Sequence, residues 1–154
     1  MIKAAVTIKK PQKQIVTWFK TLKDKPDQYR FSSHQGVRVV KGSLDKPGGV
    51  FETKERFGGL LPLGLRFQIT QVKANSFTFK LIKPLKSLRI YGQFVVRPVS
   101  ARQSRLTLRI FGKRQQSLMV KTGQILMFNW PVSQAVKQQI QAEVIFIRKA
   151  IEKN

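Results

Sequence analysis

The middle of the chain alternates apolar and polar residues with a period of two, which is typical of half-buried β-strands. Six such stretches follow one another, separated by short breaks that are rich in glycine, proline and polar residues. Short connections favour antiparallel pairing between neighbours, so the pattern predicts an antiparallel meander. Its strands are predicted over 37–43, 49–57, 65–73, 76–83, 88–99 and 104–113.

The two ends of the chain carry other patterns. Residues 2–8 also alternate and predict a first strand, and Pro11 suits the first turn of a helix that follows it. After Pro131 the apolar residues recur at spacings of three and four, without a further glycine or proline. This predicts a long amphipathic helix whose apolar stripe consists of Val132, Val136, Ile140, Val144, Ile147 and Ile151.

Composition narrows the class of protein. A chain of 154 residues that is 42% hydrophobic predicts one domain, residues 1–154, with a real core, and it excludes a wholly disordered protein. The absence of cysteine excludes disulfides, thiolate metal sites and a cysteine nucleophile. We find no apolar stretch of signal-peptide or membrane-span length, and therefore predict a cytoplasmic protein. No cofactor is predicted.

Charge is the most unusual property of the sequence. There are 30 Lys and Arg against 7 Asp and Glu, a net charge of +23, and 15 basic but no acidic residues lie between Glu55 and Glu143. Such a surface attracts polyanions, namely nucleic acid, anionic lipid headgroups or acidic proteins, although a general basic bias of the source proteome would produce the same excess. Only Tyr91 and Phe111 share the basic strand face, which favours a solvated surface over a base-stacking one. The basic residues of that face are Arg66, Lys80, Arg89, Arg97, Arg105 and Arg109.

The order of these elements resembles the helix-grip fold of the START/Bet v 1-like (SRPBCC) superfamily, which includes polyketide cyclase/dehydrase-like proteins. The resemblance covers essentially the whole chain and rests on AAVTIKKPQKQIVTWFKTLKD, GVRVVKGS, GGVFETKERFGG and VKQQIQAEVIFIRKAIEK. It implies an α+β fold, in which a curved seven-stranded antiparallel sheet surrounds the C-terminal helix and short helices follow strand 1. It also implies a cavity for apolar ligands such as lipids, sterols or polyketides, in relatives that act as carriers, enzymes or chaperone co-regulators.

Glu55 is the residue most out of place in this pattern. Alternation puts its carboxyl on the same strand face as Phe51 and Phe57, where a charge must be neutralised, hydrogen-bonded or paired. One interpretation is a buried group with a raised pKa that acts as acid or base, or that anchors a ligand hydroxyl or amine. The other is a structural ion pair with an arginine at the rim of the sheet. No metal site is predicted, because His34 is the only histidine of the chain.

Three functions follow from these observations, and binding of a small hydrophobic or aromatic ligand in an internal cavity is preferred. The first alternative is a cyclase or dehydratase-type enzyme with Glu55 as the catalytic acid or base. The second is a basic adaptor that docks on an anionic membrane or on nucleic acid. Neither the ligand nor the oligomeric state follows from the sequence. The predicted ligand-binding residues are Phe51, Glu55, Phe57, Phe67, Phe79, Phe94, Met127 and Trp130.

Overall fold

The computed structural model describes residues 1–22, 24–25, 29–31, 34–55, 63–84, 86–113, 122, 129 and 132–153, with only the backbone of 31 and 34–35. A strand, a helix, a series of strands and a C-terminal helix follow one another along the chain, as the hydrophobic pattern predicts. The strands are β1 (Ile2–Ile8), β2 (Arg30–Phe31), β3 (His34–Lys41), β4 (Val50–Glu55), β5 (Leu63–Lys73), β6 (Ser76–Lys83), β7 (Ile90–Ser100) and β8 (Gln103–Gly112). The helices are α1 (Gln12–Thr21) and the C-terminal helix α2 (Val132–Lys153), and a 3-10 turn spans Lys86–Leu88.

All described strands form one antiparallel sheet in the order β1-β8-β7-β6-β5-β4-β3-β2. The meander from β3 to β8 follows from the short connections, whereas β1 pairs with β8 along its whole length, from Ile2 opposite Ile110 to Ile8 opposite Ser104. The predicted α+β helix-grip fold is confirmed, with a curved sheet of seven long strands. The two-residue strand β2, which the pattern does not predict, lies at the edge beside β3.

The C-terminal helix packs mainly against β1 and, less closely, against β8. Its buried apolar residues are Val136, Ile140, Val144, Ile147 and Ile151, as the spacing predicts. Val132 is the exception, because its side chain at the start of the helix is 45% exposed. Helix α1 packs against β7, and its Phe19 ring lies against Phe77 and Phe94 on the inner face of the sheet.

The outer face of the sheet carries the basic residues at positions that alternate with the buried ones. Arg97 of β7 lies directly opposite Arg105 of β8, and both are exposed. Arg89 is wrongly assigned to this face by the pattern, because it lies in the turn before β7 and has a φ of 46°. The rings of Tyr91 and Phe111 stack on the same face with centroids 5.8 Å apart. The adaptor function and its anionic partners stay predictions.

Candidate functional site

A cavity of about 670 Å³ lies between the inner face of the sheet and the C-terminal helix. Its wall is almost entirely apolar and includes six phenylalanines, whose neighbouring rings have centroids 5.0–5.9 Å apart. Contacts of this kind stabilise aromatic clusters beyond the burial of area alone. The six residues are Phe19, Phe51, Phe67, Phe77, Phe79 and Phe94.

Five of the eight predicted ligand-binding residues line this cavity, and three lie outside the described residues. Phe51, Phe67, Phe79 and Phe94 contribute to the aromatic wall, and Glu55 lies among the polar lining. The alternation of the strands placed them on one face, and the curvature of the sheet brings them together. The residues outside the described part of the chain are Phe57, Met127 and Trp130.

Gly92 allows the ring of Phe79 to lie against the backbone of the neighbouring strand. The two residues are directly opposite each other in the pairing of β6 and β7. A Cβ atom at Gly92 would lie 2.1 Å from Cε2 of Phe79, far closer than van der Waals contact permits. The missing side chain therefore fixes where this ring lies in the cavity wall.

The inward residues of β4 are Phe51, Thr53 and Glu55. Glu55 is the last residue of the strand, and it carries the carboxyl group. Its side chain is 8% exposed and accepts a hydrogen bond of 2.7 Å from the Gln139 amide nitrogen Nε2 on the C-terminal helix. Glu55 is thus buried against the C-terminal helix.

A second carboxyl enters the cavity from the C-terminal helix. Glu143 follows Gln139 by four residues, so the two side chains leave the same face of the helix one turn apart. Glu143 lines the cavity and accepts a hydrogen bond from the hydroxyl of Tyr29. Strand and helix therefore present one carboxyl each to the same apolar space, each with a neutral hydrogen-bond donor.

Burial and mutual repulsion alter the protonation of the two carboxyls. The pKa of Glu55 is raised to about 8, first by burial and then by the charge of Glu143, while polar contacts with Thr53 and Gln139 act against this rise. The pKa of Glu143 is raised to about 7 by burial, against the hydrogen bond from Tyr29, which lowers it. Because two charges in one apolar site repel, the pair retains a proton near neutral pH.

The hydroxyls beside the two carboxyls have different surroundings. Burial, together with the Glu143 carboxylate, raises the pKa of Tyr29 well above its usual value, so this hydroxyl stays protonated and donates. The hydroxyl of Thr53, in a residue that is 3% exposed, also lines the cavity. It lies near enough to lower the pKa of Glu55, yet among the described atoms it has no hydrogen-bond partner of good geometry.

Sequence reasoning missed most of the partners of Glu55. Gln139 was not singled out, although it is a polar residue within the three- and four-residue spacing of Val136 and Ile140. Glu143 falls at the same kind of position next to Val144, and it was not among the predicted ligand-binding residues. Polar residues inside an apolar helical stripe were the available signal. Tyr29 follows a turn-rich stretch without periodicity, so the sequence gave no signal for its position in the site.

The described residues do not assemble a metal centre or a membrane span. No three His, Cys, Asp or Glu side chains converge in the part of the chain that the structure describes. His34 pairs with Glu55 through the backbones of β3 and β4, and its side chain lies outside the described part. Neither described helix combines the length and the apolar composition that crossing a bilayer requires.

Comparison with known proteins identifies the fold. No protein-family model and no curated protein matches the sequence. Among solved structures, the KanY protein has a TM-score of 0.71 at 11% identity over 97% of this chain and 95% of its own. Ara h 8.0201 has a TM-score of 0.66 at 12% identity over 99% of this chain and 97% of its own. The Zhui aromatase/cyclase from Streptomyces sp. R1128 has a TM-score of 0.69 at 10% identity over 99% of this chain and 93% of its own. With the sheet and helix described above, these similarities show that the chain has the START/Bet v 1-like helix-grip fold which its sequence resembles.

Proposed function

We propose that this protein binds a small apolar or aromatic molecule in the cavity between its sheet and its C-terminal helix. The observation that carries the proposal is a cavity of about 670 Å³ with six phenylalanines in its wall. This volume is within the range of roughly 300–1,000 Å³ that small-molecule sites occupy. One protein of the same fold is an aromatase/cyclase, which supports an aromatic ligand but does not name it.

The physical argument rests on how protein interiors are normally packed. Voids much larger than a water molecule are few in a core, because each apolar wall that lacks a neighbour forfeits dispersion contacts. A ligand that covered this wall would gain about 25 cal/mol for each Å² of apolar surface removed from water. The aromatic rings also offer edge-to-face contacts to a flat ligand.

The experiment is a titration of the protein with naphthalen-1-ylmethanol, a neutral aromatic probe, in which isothermal titration calorimetry measures the binding. Phe67→Trp places a larger ring in the cavity wall, while Phe111→Trp makes the same substitution on the outer face. We expect the control to bind like the wild type and Phe67→Trp to bind at least about 10-fold more weakly, because added volume in a confined site causes clashes. Equal binding by all three proteins would place the site elsewhere.

The protein purified from its host supplies a second test. Native mass spectrometry should detect an apolar molecule bound to the wild type and to Phe111→Trp, and less of it on Phe67→Trp. If the wild type carries no molecule and binds no probe, the proposed function is refuted.

A second candidate is an acid–base enzyme of the cyclase or dehydratase type with Glu55 as the acting group. The observation that favours it is a buried carboxyl, with its pKa raised to about 8, in the wall of the cavity. General acids and bases work best when their pKa lies near the operating pH. The masses of molecules that copurify with the wild type and with Glu55→Gln distinguish the two functions. An enzyme retains unconverted substrate in the variant, whereas a carrier holds the same molecule in both proteins.

A further inference from the structure

The outer face of the sheet, on the side away from the cavity, carries cations without acidic partners. Strands β1, β6, β7 and β8 contain no aspartate or glutamate, and the outward Glu52 of β4 is already bound to Arg38 and Arg66. Among the described residues, no carboxylate forms an ion pair with the outward cations of these four strands. We infer that this surface binds single-stranded nucleic acid. The cations that form it, the basic face, are Lys3, Lys80, Arg97, Arg105 and Arg109.

Two pairs of cations lie directly opposite each other within the basic face. Lys3 of β1 is the partner of Arg109 on β8, and Arg105 of β8 is the partner of Arg97 on β7. Like charges at directly opposed positions destabilise a sheet, because their Cβ atoms are only roughly 4.5–5.5 Å apart. Each pair also concentrates positive potential at one place on the surface. A polyanion that lies across both pairs relieves the repulsion and gains from the combined field.

Two aromatic rings lie at one end of the basic face. Tyr91 and Phe111 pair directly across β7 and β8, and their rings stack with centroids 5.8 Å apart and planes 15° apart. Both residues are half-buried, so part of the ring surface is open to solvent. Lys80 lies opposite Tyr91 on β6, and the Lys113 ammonium lies 4.9 Å from the centroid of the Tyr91 ring. Aromatic rings among basic groups are the surface on which proteins stack unpaired bases.

The sequence pattern favoured a solvated face, because it showed two aromatic residues without the strand pairing that joins them. In the fold the cations continue from this aromatic pair along β8. Arg109 and Arg105 lie two and six residues before Phe111 on the same side of the strand, with Lys3 and Arg97 beside them. Six residues of strand span roughly 20 Å. A basic track of this length that ends in stacking rings suits a short stretch of single strand.

The curvature of the sheet favours a single strand over other polyanions. The cavity lies on the concave side of the sheet, so the basic face is convex. A bilayer is planar, and a DNA duplex is stiff over roughly 150 base pairs, so either one touches a convex face along a narrow strip. A single strand bends to follow the surface and exposes its bases to the two rings.

The test measures binding of a fluorescent oligothymidylate of about 12 nucleotides by anisotropy, with an oligouridylate of equal length to compare DNA with RNA. The double variant Arg97→Gln, Arg105→Gln removes two charges from the basic face. Its control, Lys137→Gln with Lys149→Gln, removes two charges from exposed positions of the C-terminal helix. We expect the control to bind like the wild type and the face variant to bind at least about 10-fold more weakly. The slope of log affinity against log salt should fall by about 1.4 in the face variant alone, since each lost phosphate contact contributes about 0.7.

An abasic oligomer of equal length separates base stacking from phosphate binding. The wild type should prefer the oligothymidylate to the abasic oligomer by at least about fivefold. Tyr91→Leu should lose this preference, whereas Tyr91→Trp, which keeps an aromatic ring at the same position, should retain it. A preference that is unchanged in Tyr91→Leu contradicts the role of the rings and overturns the inference.

Other results identify a different origin of the charge. Equal losses in the two double variants would show that only net charge matters, as a general basic bias of the proteome predicts, and would overturn the inference. The same holds if the wild type binds vesicles of equal parts phosphatidylserine and phosphatidylcholine but neither oligonucleotide. Binding of naphthalen-1-ylmethanol in the cavity should be unchanged in both double variants, because they lie outside it. Failure of this inference therefore leaves the proposed function standing.

Discussion

Replacing Glu55 by glutamine should change how the stability of this protein depends on pH. The folded protein raises the pKa of Glu55 from 4.5 to about 8. Between these values the native state binds a proton that the unfolded state has released, so the free energy of unfolding falls as the pH rises. At about 1.4 kcal/mol per pKa unit, the whole shift amounts to on the order of 5 kcal/mol.

The sharpest difference is expected above pH 7. There the pair of Glu55 and Glu143 loses the proton that it retains at neutral pH, because burial raises the pKa of both carboxyls. The wild type should therefore continue to lose about 1.4 kcal/mol of stability per pH unit up to the pKa of Glu55. Glu55→Gln has no proton to lose at this position, and its stability should be nearly constant over the same range.

The assay is urea unfolding followed by tryptophan fluorescence at constant ionic strength from pH 5 to pH 9. The control is Glu52→Gln, on the same strand but facing outward, where hydrogen bonds from Arg38 lower the pKa of the carboxyl. A carboxyl whose pKa is lowered by folding contributes stability above its unfolded pKa, and this contribution is lost on acidification. Above pH 7 the control should therefore show the same decline in stability as the wild type. Parallel profiles for the wild type and Glu55→Gln would refute the buried carboxyl pair.

Three further predictions concern the wall, the hydrogen bond and the outer face. Gly92→Ala should displace the ring of Phe79 into the cavity, weaken probe binding and cost about 1–3 kcal/mol in urea unfolding; unchanged binding would contradict the close approach. Tyr29→Phe removes a hydrogen bond that lowers the pKa of Glu143, so this pKa should rise in an NMR titration, and a fall would contradict the assignment. Arg97→Glu replaces one of two directly opposed arginines and should stabilise the sheet by about 0.2–1 kcal/mol at low salt, a gain that high salt should remove.

The seven long strands, the C-terminal helix and the inward direction of Glu55 were all predictable from the sequence. Each depends on a local period, because alternate residues of a strand leave opposite faces and helical residues three or four apart share one face. Phe51, Phe67, Phe79 and Phe94 could be assigned to one wall for the same reason. The exposed position of Val132 was not predictable, since it depends on where the helix crosses the sheet.

The partners of Glu55 were decided only by the tertiary structure. Gln139 is 84 residues away along the chain, and the Tyr29–Glu143 hydrogen bond spans 114 residues. Local periodicity states which face a side chain leaves, but not which side chain of another element it meets. Glu55 and Glu143 flank the longest stretch of sequence without an acidic residue, and the fold nevertheless brings them to one cavity. The sequence thus determined that a carboxyl points inward, and the packing of the helix across the sheet decided that it shares its site with a second one.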